Sequence, residues 1–247
     1  MPVRLATLLA LLFGAMLLPA PVQAGQPARH VSTRTWTDAQ GGVWTETTTI
    51  ETGANPGADR LVGAAAETAE RGIARFGPFV VIDAHHAALV DATDSSSPAR
   101  FVAMLRAFPA IRVLEMVDCP GTYDDTANLQ LGRLIRAHAI ATDVPPGGSV
   151  RSGAVELFLA GATRHAAPDA DFGVHAWEDD AGRGPANFRA DAPVNRAYLD
   201  YYHAMGMAPA AAAAFYALTN SVPNAQVRWL HPADIARFVP LDQGIMR

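Results

Sequence analysis

The sequence predicts an α/β fold with a largely parallel sheet, and three observations carry that prediction. From Phe79 onward, short apolar runs alternate with amphipathic segments of helical period, the pattern left by strands joined through crossover helices. SGAVELFLAG (Ser152 to Gly161) is nearly all apolar, so it reads as a helix buried on every side. DFGVHAW (Asp171 to Trp177) is short and β-rich and follows that helix closely, as the next strand of such a sheet would.

Taken in order, the chain divides at three points. Residues 1–24 hold Arg4, an uncharged apolar run from Leu5 to Leu18, and then PAPVQA. Val22 and Ala24 are the small residues a signal peptidase reads, and the run is shorter than the roughly 20 residues of a membrane span. This is the pattern of a secretory signal peptide, and it predicts a periplasmic or secreted protein starting at Gly25. No Cys follows the run, so it carries no lipid-anchor site. Residues 25–57 form a second unit: VSTRTWTD and VWTETTTIET alternate around Gly41-Gly42, which predicts an N-terminal β-hairpin. Residues 58–247 form the α/β domain, entered by ADRLVGAAAETAERGIARF, which reads as a helix.

Within that domain FVVI (Phe79 to Ile82) is a buried strand. SSSPARFVAMLRAF is a helix with Ser caps and an early Pro98. IRVLEMV is a second strand. TANLQLGRLIRAHAIA is a second helix, with Leu131, Leu134, Ile135 and His138 on one face. DVPPGGSV is a third strand or the loop into one. EDDAGRGPANFRADAP is polar and rich in Gly and Pro, a loop able to act as a flap, and two helices follow it. Tyr198, Tyr201, Tyr202 and Met205 make an aromatic stripe that reads as packing.

Composition removes several functions. The net charge is −5, and removing residues 1–24 takes away one Arg and makes it −6. A mildly acidic chain with no basic cluster is not built for nucleic acid. No later stretch is long and apolar enough to cross a bilayer. Cys119 is the only cysteine, which excludes an internal disulfide and a two-Cys metal motif; following an apolar run, it reads as a buried thiol. His85 and His86 lie beside Asp83, but adjacent residues of a strand face opposite sides, so no metal site is expected.

Three segments carry chemistry. DCPGTYDD (Asp118 to Asp125) is a tight turn between a strand and a helix, offering backbone N–H groups where negative charge would develop. Ser152 opens the buried helix, with Gly153 after it. His175 ends the following strand. Singly, each is ordinary: a Ser before a helix is usually an N-cap, and a lone His beside Trp177 is usually structural. Ser152 is not in a G-x-S-x-G elbow either, being flanked by Val150 and Ala154.

The order of the three segments is more specific. The strand, the CPGT turn, the amphipathic helix, RSG before a helix ending FLAG, and then GVH at a strand end resemble the ClpP/crotonase-like superfamily, in particular poorly characterised periplasmic ClpP-like proteins. The 23 residues from Ser152 to His175 and the 30 from Thr122 to Ser152 are near that family's spacings, and the resemblance spans about Phe79 to Trp177. The resemblance implies a serine hydrolase of the peptidase class, working by Ser-His acyl transfer without cofactor or metal. Ser152 would be the nucleophile and His175 the general base. The backbone amides of Gly121, Thr122 and Gly153 would form the oxyanion hole. The partner implied is a peptide or protein, and the Tyr198–Met205 stripe leaves room for a homo-oligomer contact.

Two departures stand beside the resemblance. Thr122 occupies the family's second Gly, a strained place for a β-branched residue if φ there is positive. The third triad member has no obvious bearer, since AQVRW contains no acid. Asn220 and Asn224 are neutral alternatives, and Asp171, Asp179, Asp191 and Asp234 are not ranked by sequence. These departures keep a second reading open, a non-catalytic ClpP-like module binding a peptide or partner protein. An acyl-CoA enzyme of crotonase type fits poorly, because an exported protein seldom meets CoA and the sequence has no basic site for its phosphates.

Overall fold

The structure, a computed structural model, describes residues 28–37, 43–52, 72–179 and 181–242. The signal-peptide segment and the Gly41-Gly42 turn lie outside the described residues. The hairpin's arms are present: β1 (Ala28–Thr37) pairs antiparallel with β2 (Val43–Thr52), Trp36 opposite Trp44.

The main domain winds in coils; the first lays its strands in the larger of two sheets, and each later coil places strands in both. The first coil holds β3 (Ala74–Phe76), β4 (Phe79–Val81) and β5 (His86–Leu89), then α1 (Ser97–Ala107). The second holds β6 (Val113–Met116), β7 (Asp118–Cys119) and α2 (Asp125–Ala137). The third holds β8 (Ala141–Val144), β9 (Ser149–Arg151) and α3 (Gly153–Leu159). The fourth holds β10 (Arg164–Ala166) and β11 (Asp171–Val174), followed by α4 (Pro193–Ala204), α5 (Pro209–Thr219), β12 (Arg228–Leu230) and α6 (Pro232–Ile235). The larger sheet runs β10-β8-β6-β5-β4-β3 and the smaller β12-β11-β9-β7. Neighbours among β5, β6, β8 and β10, and among β7, β9 and β11, are parallel; β3, β4 and β12 join antiparallel. The predicted α/β architecture of parallel βα units with a helical C-terminal part is the observed one.

Several elements differ from the sequence reading. Ala74–Phe76 is a strand, not the end of an entering helix, because Gly77 at φ 62° turns the chain back to pair Phe76 with Phe79. Residues 58–71 of that expected helix lie outside the described residues. The second helix stops at Ala137, and Ala141 already belongs to β8. Its end is a Schellman motif: Ile140 N–H donates to Ile135 O and Ala139 N–H to Arg136 O, with Ala139 at φ 54°. Gly normally marks this position, so Ala139 gave no signal in an Ala-rich stretch. DVPPGGSV is the loop into a strand, as one of the two readings had it: it leaves β8 of one sheet after Val144 and enters β9 of the other at Ser149. β5, β10 and β12 were not anticipated, being 3–4 residues long and carrying His or Arg. At α1 the Ser residues do not cap by their own side chains at the N-cap. Asp94 takes that part, accepting from Ser96 N–H and from the Ser96 and Ser97 hydroxyls.

The core lies between the sheets and helices α1 to α4, with Phe79, Phe101, Leu114, Phe158 and Phe172 all buried. All seven residues of α3 are buried. Its C-terminal carbonyls are met by cations, with Arg164 Nε donating to Leu159 O at 2.7 Å and Arg136 Nη1 to Gly161 O at 2.6 Å. Desolvation lowers the Arg164 pKa to about 10. Glu156, one turn into α3, is reached by the aromatic stripe: Tyr202 OH donates to its carboxylate at 2.7 Å and Tyr201 OH to its carbonyl at 2.6 Å. The Tyr198, Tyr201, Tyr202 and Met205 stripe is therefore buried packing, as read. His138 departs from its expected core position; it sits at the C-cap of α2 and is exposed, its ring near the edge of Phe101. Among the described residues no helix is long and apolar enough to cross a membrane.

Candidate functional site

Ser152 stands at the junction of β9 and α3 with φ 54° and ψ −132°. That region of backbone space belongs nearly to glycine alone, and holding another residue there costs about 1–3 kcal/mol. Two bonds hold it: Ser152 N–H donates to Gly173 O at 2.8 Å, and Ser152 O accepts from Val155 N–H at 3.0 Å. The side chain makes no capping bond. Among the described residues its buried Oγ has no hydrogen-bond partner at all. The ordinary role of a Ser before a helix is therefore not the role of Ser152. A strained strand-to-helix turn is instead the means by which an elbow projects a nucleophile, here without the G-x-S-x-G spacing.

His175 follows β11, parallel to β9 with Gly173 opposite Arg151. Ser152 is thus level with Val174, and His175 lies one residue further along a strand about 4.8 Å away. His175 Nδ1 lies 3.0 Å from Ala176 O. A carbonyl only accepts, so Nδ1 is the donor, and in the neutral imidazole this leaves the lone pair on Nε2, the tautomer a general base needs. Asn224 Nδ2 donates to the same carbonyl at 3.1 Å, and Ala176 N–H donates to Val222 O. Residues 222–224 thereby pin the end of β11. No hydrogen bond joins Ser152 Oγ to His175, and the two residues are 3 % and 1 % exposed, so the site is shut in this conformation.

The four acids left open by sequence are engaged elsewhere. Asp179 accepts from Arg183 and from Ala181 N–H, and the Arg183 hydrogen bond holds its pKa below the usual carboxylate range. Asp191 pairs with Arg189, Asp234 accepts from His231 N–H, and Asp171, at the far end of β11, faces the His231 ring at 3.4 Å. Asn220 donates to Tyr216 O at the end of α5.

The turn after β7 comes directly against α3. A Cβ built on Gly153 would stand 2.5 Å from Thr122 Cγ2 and 3.1 Å from Asn128 Nδ2, so Gly153 is required by close approach. The strain feared at Thr122 is absent: positive φ falls on Gly121, at 135°, and not on Thr122. Thr122 is fully buried, and its Oγ1 accepts from Asp124 N–H at 3.2 Å while facing Thr93 O at 3.3 Å. Asp124 caps α2 by accepting from Ala127 N–H at 2.9 Å.

Three contributions lie outside the sequence reading. Arg151, the residue before Ser152, is buried and forms an ion pair at 2.5 Å with Asp118 of β7, and it donates to Ser149 Oγ. Thr93 and Asn128 meet beneath the turn. The Arg151 signal was a cation in an apolar strand; Thr93 and Asn128 gave none. The loop expected after His175 packs on the domain, since Asn195 Nδ2 donates to Arg189 O and Phe188 packs on Trp177. Trp177 in turn donates to Tyr216 OH, which donates to Asn195. Cys119 is buried, its thiol directed at Leu89 O, and burial pushes its pKa far up, so it is no thiolate nucleophile. His86 pairs with Asp83, whereas His85 faces Ala110 O; among the described residues no three His, Cys, Asp or Glu side chains gather as metal ligands would.

No family model matches this sequence, and no curated protein matches it. Solved structures do align with it. A membrane protease from Pyrococcus horikoshii specific for a stomatin homolog is 15 % identical over 64 % of this chain and 71 % of its own, with a TM-score of 0.41. The ClpP protease catalytic domain from Plasmodium falciparum is 11 % identical over 65 % of this chain and 86 % of its own, with a TM-score of 0.43. A protein of Streptomyces coelicolor A3(2) assigned to the enoyl-CoA hydratases is 13 % identical over 72 % and 70 %, with a TM-score of 0.38.

Proposed function

We propose that this chain is an exported, ClpP-like serine hydrolase that cleaves a peptide or protein by acyl transfer, with Ser152 as nucleophile and His175 as general base. The observation that carries this reading is Ser152 itself. A buried hydroxyl that caps nothing, held at a backbone conformation costing free energy, is hard to account for as structure and simple to account for as a nucleophile. In the reaction Ser152 Oγ attacks the carbonyl carbon as its proton passes to His175 Nε2. The oxyanion is met by the Thr122 and Gly153 amides, with Gly121 supplying the bend between Pro120 and Thr122. Collapse breaks the C–N bond, and the leaving amine takes the proton from His175; water then releases the acyl group by the same route. Substrate entry requires the shut site to open.

A second reading, a binding module without catalysis, is favoured by the absent Ser152–His175 hydrogen bond and by the Thr122 methyl packed on Gly153. One experiment separates the two. A fluorophosphonate probe should label the wild-type protein, Ser152→Ala should abolish labelling, and His175→Ala should slow it by about 10²–10⁴-fold. A folded wild-type protein that no serine-directed probe modifies would establish the binding module instead. Export is tested separately by N-terminal sequencing of the mature protein, expected to begin at Gly25; a full-length cytoplasmic chain would refute it.

A further inference from the structure

We infer that Thr93 and Asn128 are positioning residues that clamp together the two backbone amides assigned to the oxyanion hole, an inference that rests on the hydrolase reading above. The clamp begins in the backbone. Thr93 N–H donates to Gly121 O at 3.0 Å, and Tyr123 N–H donates to Thr93 O at 2.8 Å, making an isolated parallel bridge between Thr93 and Thr122. Main-chain groups alternate in direction along an extended segment. With Gly121 O and Tyr123 N–H turned toward Thr93, the Thr122 amide is directed the opposite way. The coils succeed one another in that direction, since β7 pairs with β9 on its side away from the first coil. The Thr122 N–H therefore faces the coil that carries Ser152 and Gly153.

The side chains complete the link. Asn128 Nδ2 donates to Gly153 O at 2.7 Å, and Thr93 Oγ1 donates to Asn128 Oδ1 at 2.9 Å. The polarity of this relay is fixed by chemistry. Gly153 O can only accept, so the amide nitrogen must face it, the amide oxygen must face Thr93, and the hydroxyl must donate. Thr93 and Asn128 are 0 % and 2 % exposed, so water is poorly placed to replace either partner. One residue thus grips the turn on both sides of the Thr122 amide by its backbone, and reaches through Asn128 to the first peptide of α3 by its side chain. The Thr122 methyl against Gly153 sets the gap between the two amides. An oxyanion hole acts through donors placed in advance, and misplacement of about 1 Å can cost about 10²-fold.

The test compares Thr93→Val, which keeps shape and loses the hydroxyl, with Thr93→Ser, which keeps the hydroxyl and loses a methyl. The clamp predicts that Thr93→Val lowers the maximal rate of fluorophosphonate labelling by about 10- to 100-fold. The probe's half-saturating concentration should stay within about twofold, and Thr93→Ser should label within about threefold of wild type. Packing alone predicts the reverse order, and that order, or a Val variant that labels like wild type, overturns the proposal. Deuterium exchange over residues 149–159 reads the clamp without catalysis, and should be faster in Thr93→Val than in Thr93→Ser. A wild-type protein that never labels defeats the hydrolase reading, and exchange then still decides whether the clamp exists. If Thr93→Val does not fold, Asn128→Asp replaces it; it sets an oxygen against Gly153 O and should give the same slow labelling and fast exchange.

Discussion

Replacing Ser152 by Gly should stabilise the protein while ending any activity. The backbone at φ 54°, ψ −132° costs a non-glycine residue about 1–3 kcal/mol, and glycine is relieved of most of that. Against this stands the greater freedom of glycine in the unfolded chain, about 0.4–1 kcal/mol. No capping bond is lost, because Ser152 Oγ makes none. The balance is a gain of about 1–2 kcal/mol for Ser152→Gly, or a rise in Tm of roughly 2–8 °C for a domain of this size. Ser152→Ala keeps the strain and should fall within about 1 kcal/mol of wild type. Thermal and urea unfolding of the three proteins measure the order. An ordinary N-cap gives the opposite ranking, with wild type highest, glycine a few tenths lower, and alanine lower by about 0.5–2 kcal/mol. A wild type more stable than both variants would refute the strained-nucleophile argument.

Acid stability should depend in part on Asp94. Its hydrogen bond from Ser96, joined by Ser97, lowers its folded pKa, so the unfolded chain binds more protons and stability is lost as pH falls below about 4. Asp94→Asn should flatten that limb of a pH–stability profile, and an unchanged slope would contradict the assignment. Gly132→Ala should be destabilising by about 1–3 kcal/mol, because a Cβ there would lie 1.9 Å from the buried Tyr201 hydroxyl. Removing that hydroxyl with Tyr201→Phe should recover part of the loss in urea denaturation, and no recovery would place the strain elsewhere.

The coarse fold was legible because it rests on patterns only a few residues long. Apolar runs and helical periodicity marked β4, β6, β11, α1, α2, α4 and α5, and the apolar SGAVELFLAG marked α3 as buried. Short strands were not legible. β5, β10 and β12 are too brief to show a period, each carries a His or Arg, and they exist because neighbouring strands offer unpaired backbone groups. The exchange from β8 to β9 was equally hidden, since two sheets rather than one is a property of how coils stack.

For the candidate site, the sequence by itself determined the residue types, their order and their spacing: Ser152 before a buried helix, His175 at a strand end, and the Gly121-Thr122 turn between strand and helix. Tertiary structure alone decided how those residues are placed and bonded. Only the register of β9 against β11 sets Ser152 beside the end of His175's strand. Only the backbone angle shows that Ser152 caps nothing. Only the fold shows that positive φ is taken by Gly121 and spares Thr122, and that Ala176 O accepts from His175 Nδ1. Thr93 and Asn128 lie 35 residues apart in sequence and share no motif with Gly153. The physical reason is common to all of these: main-chain groups carry no side-chain signature, so hydrogen bonds made through them are decided by where the coils fall.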